Sequence, residues 1–116
     1  MTDGADGWLP FDEGASIGQV GSEGVILRDE EHTGGARITL ERDGFAAPFS
    51  ITCGVYGWLM HTRFFAHGWE AEREYATMKP ALAAIVDLFP RPGDRAPEAR
   101  LNAFTAAING FVDRFP

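Results

Sequence analysis

The sequence predicts a two-layer α+β domain, in which a four-stranded antiparallel meander is followed by two helices packed on one sheet face. The first half of the chain holds β-prone segments with alternating apolar and polar residues, separated by glycine-containing turns. The second half holds apolar residues spaced by three and four, the period of amphipathic helices. Strands are predicted at residues 25–32, 36–42, 49–54 and 58–65, helices at 69–89 and 97–114, and an N-terminal arm at 1–24 outside the single domain 25–116.

The third and fourth strands come from the most β-prone segment, Phe49 to Phe65, which predicts a hairpin. With Val55 and Tyr56 as the turn, one face is almost wholly apolar and carries Phe49, Ile51, Cys53, Trp58, Met60 and Phe64. The opposite face carries Ser50, Thr52, Leu59, His61 and Arg63. A four-residue loop, residues 54–57, is an equal alternative for the turn.

The first two strands predict a second hairpin that turns at Gly34 and Gly35. Alternation places Ile38 and Leu40 on the apolar face. The predicted register sets Arg28, Glu30 and His32 opposite Glu41, Thr39 and Arg37, all on the polar face. The sheet is therefore expected to have one buried face and one open face.

Two amphipathic helices are expected to cover the buried face. The first stripe is Ala71, Tyr75, Met78, Leu82, Ile85 and Phe89, and the second is Leu101, Phe104, Ile108, Phe111 and Phe115. Because the first stripe continues on both sides of Pro80, a kinked single helix is favoured over two separate helices. Pro97 is suited to the first position of the second helix.

Composition and charge exclude several classes of function. The net charge is −7, and residues 1–24 contain five acidic and no basic residues. The chain has no basic stripe for nucleic acid and no apolar run long enough for a membrane. Its single cysteine, Cys53, cannot form an internal disulfide, which favours a cytoplasmic location. The arm also contains the apolar residues Trp8, Leu9 and Phe11, for which folding back onto the domain, docking to a partner and disorder are the alternatives.

The open face contains the candidate binding residues. A turn at Asp43–Gly44 sets Arg37 opposite Ser50, and Ser50 faces His61, although Pro48 is also compatible with a longer loop. Arg37, Ser50 and His61 are therefore expected to form a row across three neighbouring strands. The candidate ligand or anion site is Arg37, Ser50, His61 and Arg63. A merely solvated face and an interface that includes Leu59 and Phe65 are the alternatives.

Catalytic and metal sites are not expected. Cys53 and His61 are predicted on opposite faces, which argues against a nucleophile pair. Ser50 and His61 lack a third group and an oxyanion hole. No zinc-spaced cysteines, phosphate-binding glycine loop or dinucleotide motif occurs, so neither a metal nor a cofactor is predicted.

The favoured hypothesis is a non-enzymatic interaction domain that forms a dimer or binds another protein. Its candidate contact residues are Trp8, Leu9 and Phe11 of the arm and Leu59 and Phe65 of the sheet. The alternative is a small-molecule or anion-binding protein, or a small enzyme, that uses the polar open face.

Overall fold

Residues 6–116 are described by a computed structural model, which confirms an antiparallel sheet with two helices packed on it. The sheet has five strands in chain order, one more than predicted. The elements are β1 (Trp8–Pro10), β2 (Val25–His32), β3 (Ala36–Arg42), β4 (Phe49–Val55), β5 (Leu59–Phe65), α1 (Gly68–Val86) and α2 (Pro97–Arg114). Neither helix is long and apolar enough to cross a membrane.

The additional strand is β1, which pairs antiparallel with β2 through Trp8 opposite His32 and Leu9 opposite Glu31. The Trp8 indole is buried and meets the His32 ring edge-on, with 5.1 Å between the ring centroids. A strand of three residues that ends in proline is too short to show alternation in the sequence. Part of the apolar segment of the arm thus folds back and covers the outer side of β2.

The hydrophobic core lies between the sheet and α1. Ile38, Leu40 and Ile51 point into it, as strand alternation predicts, and are fully buried. The first five residues of the predicted α1 stripe, Ala71, Tyr75, Met78, Leu82 and Ile85, cover them. α1 continues through Pro80 as one helix and ends at Val86 rather than at residue 89. α2 lies beside α1 and buries Phe104 and Phe111.

The hairpin between β3 and β4 has a longer loop than an Asp43–Gly44 turn allows. The Asp43 N–H donates to the Pro48 carbonyl across this loop, at 2.8 Å. Arg37 is therefore opposite Gly54 instead of Ser50, and Ser50 is opposite Glu41. The pairing is displaced by an even number of residues, so every side chain stays on its predicted face.

The observed register between β2 and β3 differs from the predicted register by one residue. His32 pairs with Ala36 and Asp29 with Thr39, around a loop in which Gly35 has a φ of +105°. Because the displacement is odd, it exchanges the two faces of β2 over residues 28–32, while a register shift between Ile26 and Arg28 leaves Ile26 on the open face. Asp29 and Glu31 lie on the open face, whereas Arg28, Glu30 and His32 lie on the helix face, contrary to the prediction.

The observed register between β4 and β5 differs from the predicted register by three residues. Trp58 N–H donates to the Val55 carbonyl at 2.8 Å, and Gly57, with a φ of +82°, allows this turn. Val55 then pairs with Leu59. This odd displacement reverses all of β5, so that Leu59, His61, Arg63 and Phe65 face the helices and Met60, Thr62 and Phe64 lie on the open face.

Candidate functional site

The predicted row across the open face does not form. Arg37 and Ser50 lie on that face but not opposite each other, and Ser50 is opposite Phe64 rather than His61. His61 and Arg63 lie on the helix face. The four candidate ligand residues therefore do not converge on one point, and binding by any one of them stays a prediction.

His61 and Arg63 instead bind the C-terminal segment and α1. The His61 Nε2–H donates to the Phe115 carbonyl. Arg63 Nη1 donates to Glu74 Oε1 at 2.8 Å, and its guanidinium lies 5.4 Å from the centre of the Phe115 ring. The hydrogen bond from Arg63 holds the pKa of Glu74 below its ordinary value. These contacts connect β5 to both helices.

Cys53 and His61 are direct cross-strand partners, so their predicted placement on opposite faces was wrong. Cys53 is 2% exposed, and this burial raises the pKa of its thiol to about 12. A reactive cysteine needs the opposite change, because the thiolate is the nucleophile. The arrangement does not activate the thiol.

Arg37 has its charge balanced within the chain. Its guanidinium donates to both oxygens of Asp29, at 2.9 and 2.7 Å, and Thr39 Oγ1 donates to the same carboxylate at 3.1 Å. The Phe11 ring covers the guanidinium, with 3.5 Å from Cζ to the ring centroid. Asp29 is 3% exposed. This buried ion pair is absent from the predicted site because the register of β2 was wrong by one residue.

A groove of about 650 Å³ crosses the open face. It is lined by residues of β3, β4 and β5, by the loop before β2 and by the β4–β5 turn. The principal lining residues are Gly21, Ile26, Arg37, Thr39, Glu41, Thr52, Gly54, Tyr56, Trp58 and Met60.

Glu41 is the buried carboxylate of this groove. It is 2% exposed, and its Oε2 accepts the backbone N–H groups of Glu23 and Gly24 at 2.9 and 3.0 Å. Across residues 6–116, no Lys, Arg or His forms an ion pair with it. The expected cross-strand partner, Arg28, lies on the other face and binds Glu72. The sequence places Glu41 on the open face but gives no signal that residues 21–24 cover it.

The outer edge of β1 offers no free backbone donor within the described chain. Thr33 N–H donates to the Gly7 carbonyl at 2.9 Å, so Gly7 and Leu9 direct their backbone groups towards β2, and Trp8 and Pro10 direct theirs outward. Trp8 N–H donates to Asp6 Oδ1 at 3.1 Å, and proline has no N–H. Short strands and prolines are ordinary means of preventing edge pairing.

The outer edge of β5 is open by comparison. Tyr56 N–H donates to the Gly35 carbonyl, so even-numbered residues of β4 face β3 and odd-numbered residues face β5. Odd-numbered residues of β5 pair with those of β4. It follows that Met60, Thr62 and Phe64 direct their backbone N–H and C=O groups outward, at the end of the sheet.

The side chains beside this edge are apolar and exposed. Met60 is 83% exposed and Phe64 is 50% exposed. Both were predicted to be core residues, since apolar strand residues usually are. Tyr56 and Trp58, at the turn before β5, are each about half exposed. An unprotected seven-residue edge thus borders an apolar surface.

The five candidate contact residues have different surroundings. Trp8 and Phe65 are buried in the core, and Leu59 is half-buried against it. Phe11 covers Arg37, and Leu9 is exposed beside β2. Within residues 6–116 no group of three or more His, Cys, Asp or Glu is placed to hold a metal ion.

Comparison with protein-family models, with curated proteins and with solved structures found no match.

Proposed function

We propose that this protein is a non-enzymatic interaction domain that self-associates by pairing β5 of two copies edge to edge. The supporting observation is the contrast between the two edges. On β1, Asp6 accepts the outward Trp8 N–H and Pro10 has no N–H to offer. On β5, by contrast, Met60, Thr62 and Phe64 direct their backbone groups outward. A strand with such an edge binds another strand through its main chain. The lone, buried Cys53 supports a reducing cytoplasm as the location of this dimer.

A second copy suits this edge because β5 is self-complementary. Antiparallel pairing about a two-fold axis at Thr62 sets Met60 of each copy opposite Phe64 of the other. All three outward N–H groups then find carbonyl partners. The exposed Met60 and Phe64 side chains, which lie on the same face, become cross-strand neighbours and lose water-exposed apolar area.

The test is the change Thr62→Pro. Proline removes an N–H that points away from β4, so it deletes no hydrogen bond of the internal ladder but places its ring in the path of a second strand. We expect the unmodified protein to show twice the chain mass in light scattering. The dimer dissociation constant of the variant should be at least about tenfold higher than that of the unmodified protein, because backbone hydrogen bonds at the axis are lost.

The matched control is Thr62→Val. Thr62 Oγ1 lies 3.2 Å from Thr52 Oγ1, and both substitutions remove this contact, but valine keeps the backbone N–H. The valine variant should remain dimeric. A monomeric unmodified protein, or a proline variant that dimerises as well as the valine variant, would refute pairing through β5.

A further inference from the structure

We propose that the open-face groove binds a small organic cation: an amine with an elongated apolar body, whose N–H donates to Glu41. This site goes beyond self-association, and its binding group is Glu41, although Met60 both lines the groove and lies at the proposed dimer edge. Thr62, on which the dimer axis lies, is not part of the groove lining.

The buried charge of Glu41 indicates the cationic group. Both of its hydrogen bonds from the described residues end at Oε2, and both donors are neutral backbone amides. A carboxylate that is 2% exposed and has no cationic partner among residues 6–116 is costly to bury. An ammonium group entering the groove would supply the missing charge and a donor for Oε1.

The remainder of the groove suits an apolar body. Thr39, Thr52 and Gly54 are small lining residues, and Ile26 and Met60 supply apolar side chains. Glu41 lies opposite Ser50 of β4, and the β4–β5 turn begins after Val55 of the same strand. At about 3.3 Å per strand residue the distance between these levels is roughly 16 Å, which requires an elongated ligand. The volume is in the range of small-molecule sites.

The other charges in the groove disfavour an anion. Arg37 is the basic residue in the lining, and Asp29 already binds it through both oxygens. Asp29 balances Arg37, so Glu41 is the unbalanced charge among the lining residues, and Glu31, which accepts a hydrogen bond from Tyr56, adds negative charge beside the groove. A carboxylate ligand of the same shape would be repelled.

Three probes of matched length test the proposal on the unmodified protein by calorimetric titration: n-octylamine, n-octanol and octanoate at neutral pH. Octylamine should bind at least about tenfold more tightly than octanol, because both can donate a hydrogen bond to Glu41 but only the ammonium group also brings a balancing positive charge. Octanoate should bind most weakly. Equal affinity for octylamine and octanol, or no binding of octylamine, would overturn the proposal.

Two variants locate the binding group. Glu41→Gln keeps an acceptor for the Glu23 and Gly24 N–H groups but removes the charge, and it should abolish the preference for octylamine over octanol. Glu23→Gln makes the same change in net charge next to the groove and should preserve that preference. If Glu41→Gln retained it too, the site would not be at Glu41. If Glu41→Gln does not fold, the three probes on the unmodified protein still decide the question.

Discussion

Replacing Arg37 with leucine should destabilise the folded protein by about 3–5 kcal/mol. Asp29 has no exposed side-chain area, and Arg37 supplies its balancing charge through two hydrogen bonds. Leucine keeps apolar bulk beneath the Phe11 ring, but among residues 6–116 it leaves the buried Asp29 carboxylate with the Thr39 hydroxyl as its one side-chain donor. The measurement is the free energy of unfolding in urea at neutral pH.

Arg28→Leu is the matched control for this prediction. Arg28 also forms an ion pair, with Glu72 at 2.7 Å, but both side chains are about half exposed. Exposed pairs contribute little because water screens them, so the control should lose less than about 1 kcal/mol. Equal losses in the two variants would show that the Asp29–Arg37 pair is not the special contact described.

Replacing Phe104 with alanine should lower the free energy of unfolding by about 3–5 kcal/mol. The Phe104 ring is 1% exposed and lies edge-on to Trp58 and to Phe89, with centroid distances of 5.1 and 5.0 Å. The three rings connect α2, the β4–β5 turn and the segment after α1. Removing the central ring leaves a cavity and separates these elements.

Phe45→Ala is the control, since Phe45 is fully exposed in the β3–β4 loop. The same chemical change there should alter the free energy of unfolding by less than about 0.5 kcal/mol. A loss of less than 1 kcal/mol for Phe104→Ala would mean that α2 is not held to the sheet through this residue.

The parts of the fold that depend on local pattern could be predicted from the sequence. The alternation of Ile38 and Leu40 and the spacing of the α1 stripe identify core residues, because each needs only the period of its own element. The paired strands were therefore located nearly to their observed ends. The position of Pro80 inside one helix also followed, since apolar residues continue on both sides of it.

Strand register depended on turns that the sequence does not specify. The loop Tyr56–Trp58 has three residues where two were predicted, and the resulting odd displacement reversed β5. Met60 and Phe64 made the error plausible, because apolar strand residues normally indicate the core. Their exposure is itself informative, since it is the feature that distinguishes the edge surface.

The candidate groove was not predictable from alternation because it depends on contacts between distant segments. Glu41 becomes buried only because the backbone at Glu23 and Gly24 lies against it. Phe11 lies over Arg37 directly before a turn in which Asp12 and Glu13 have positive φ angles of 51° and 55°. No periodic signal in residues 11–24 specifies either contact.

Amide hydrogen exchange of β5 is the most direct test of the central claim, that two copies meet at this edge. Met60, Thr62 and Phe64 should be protected at concentrations where the mass is that of a dimer, and should lose protection on dilution to monomer. Ile51, whose amide faces β5 within one chain, should stay protected throughout. Rapid exchange at Met60, Thr62 and Phe64 at every concentration would contradict the account.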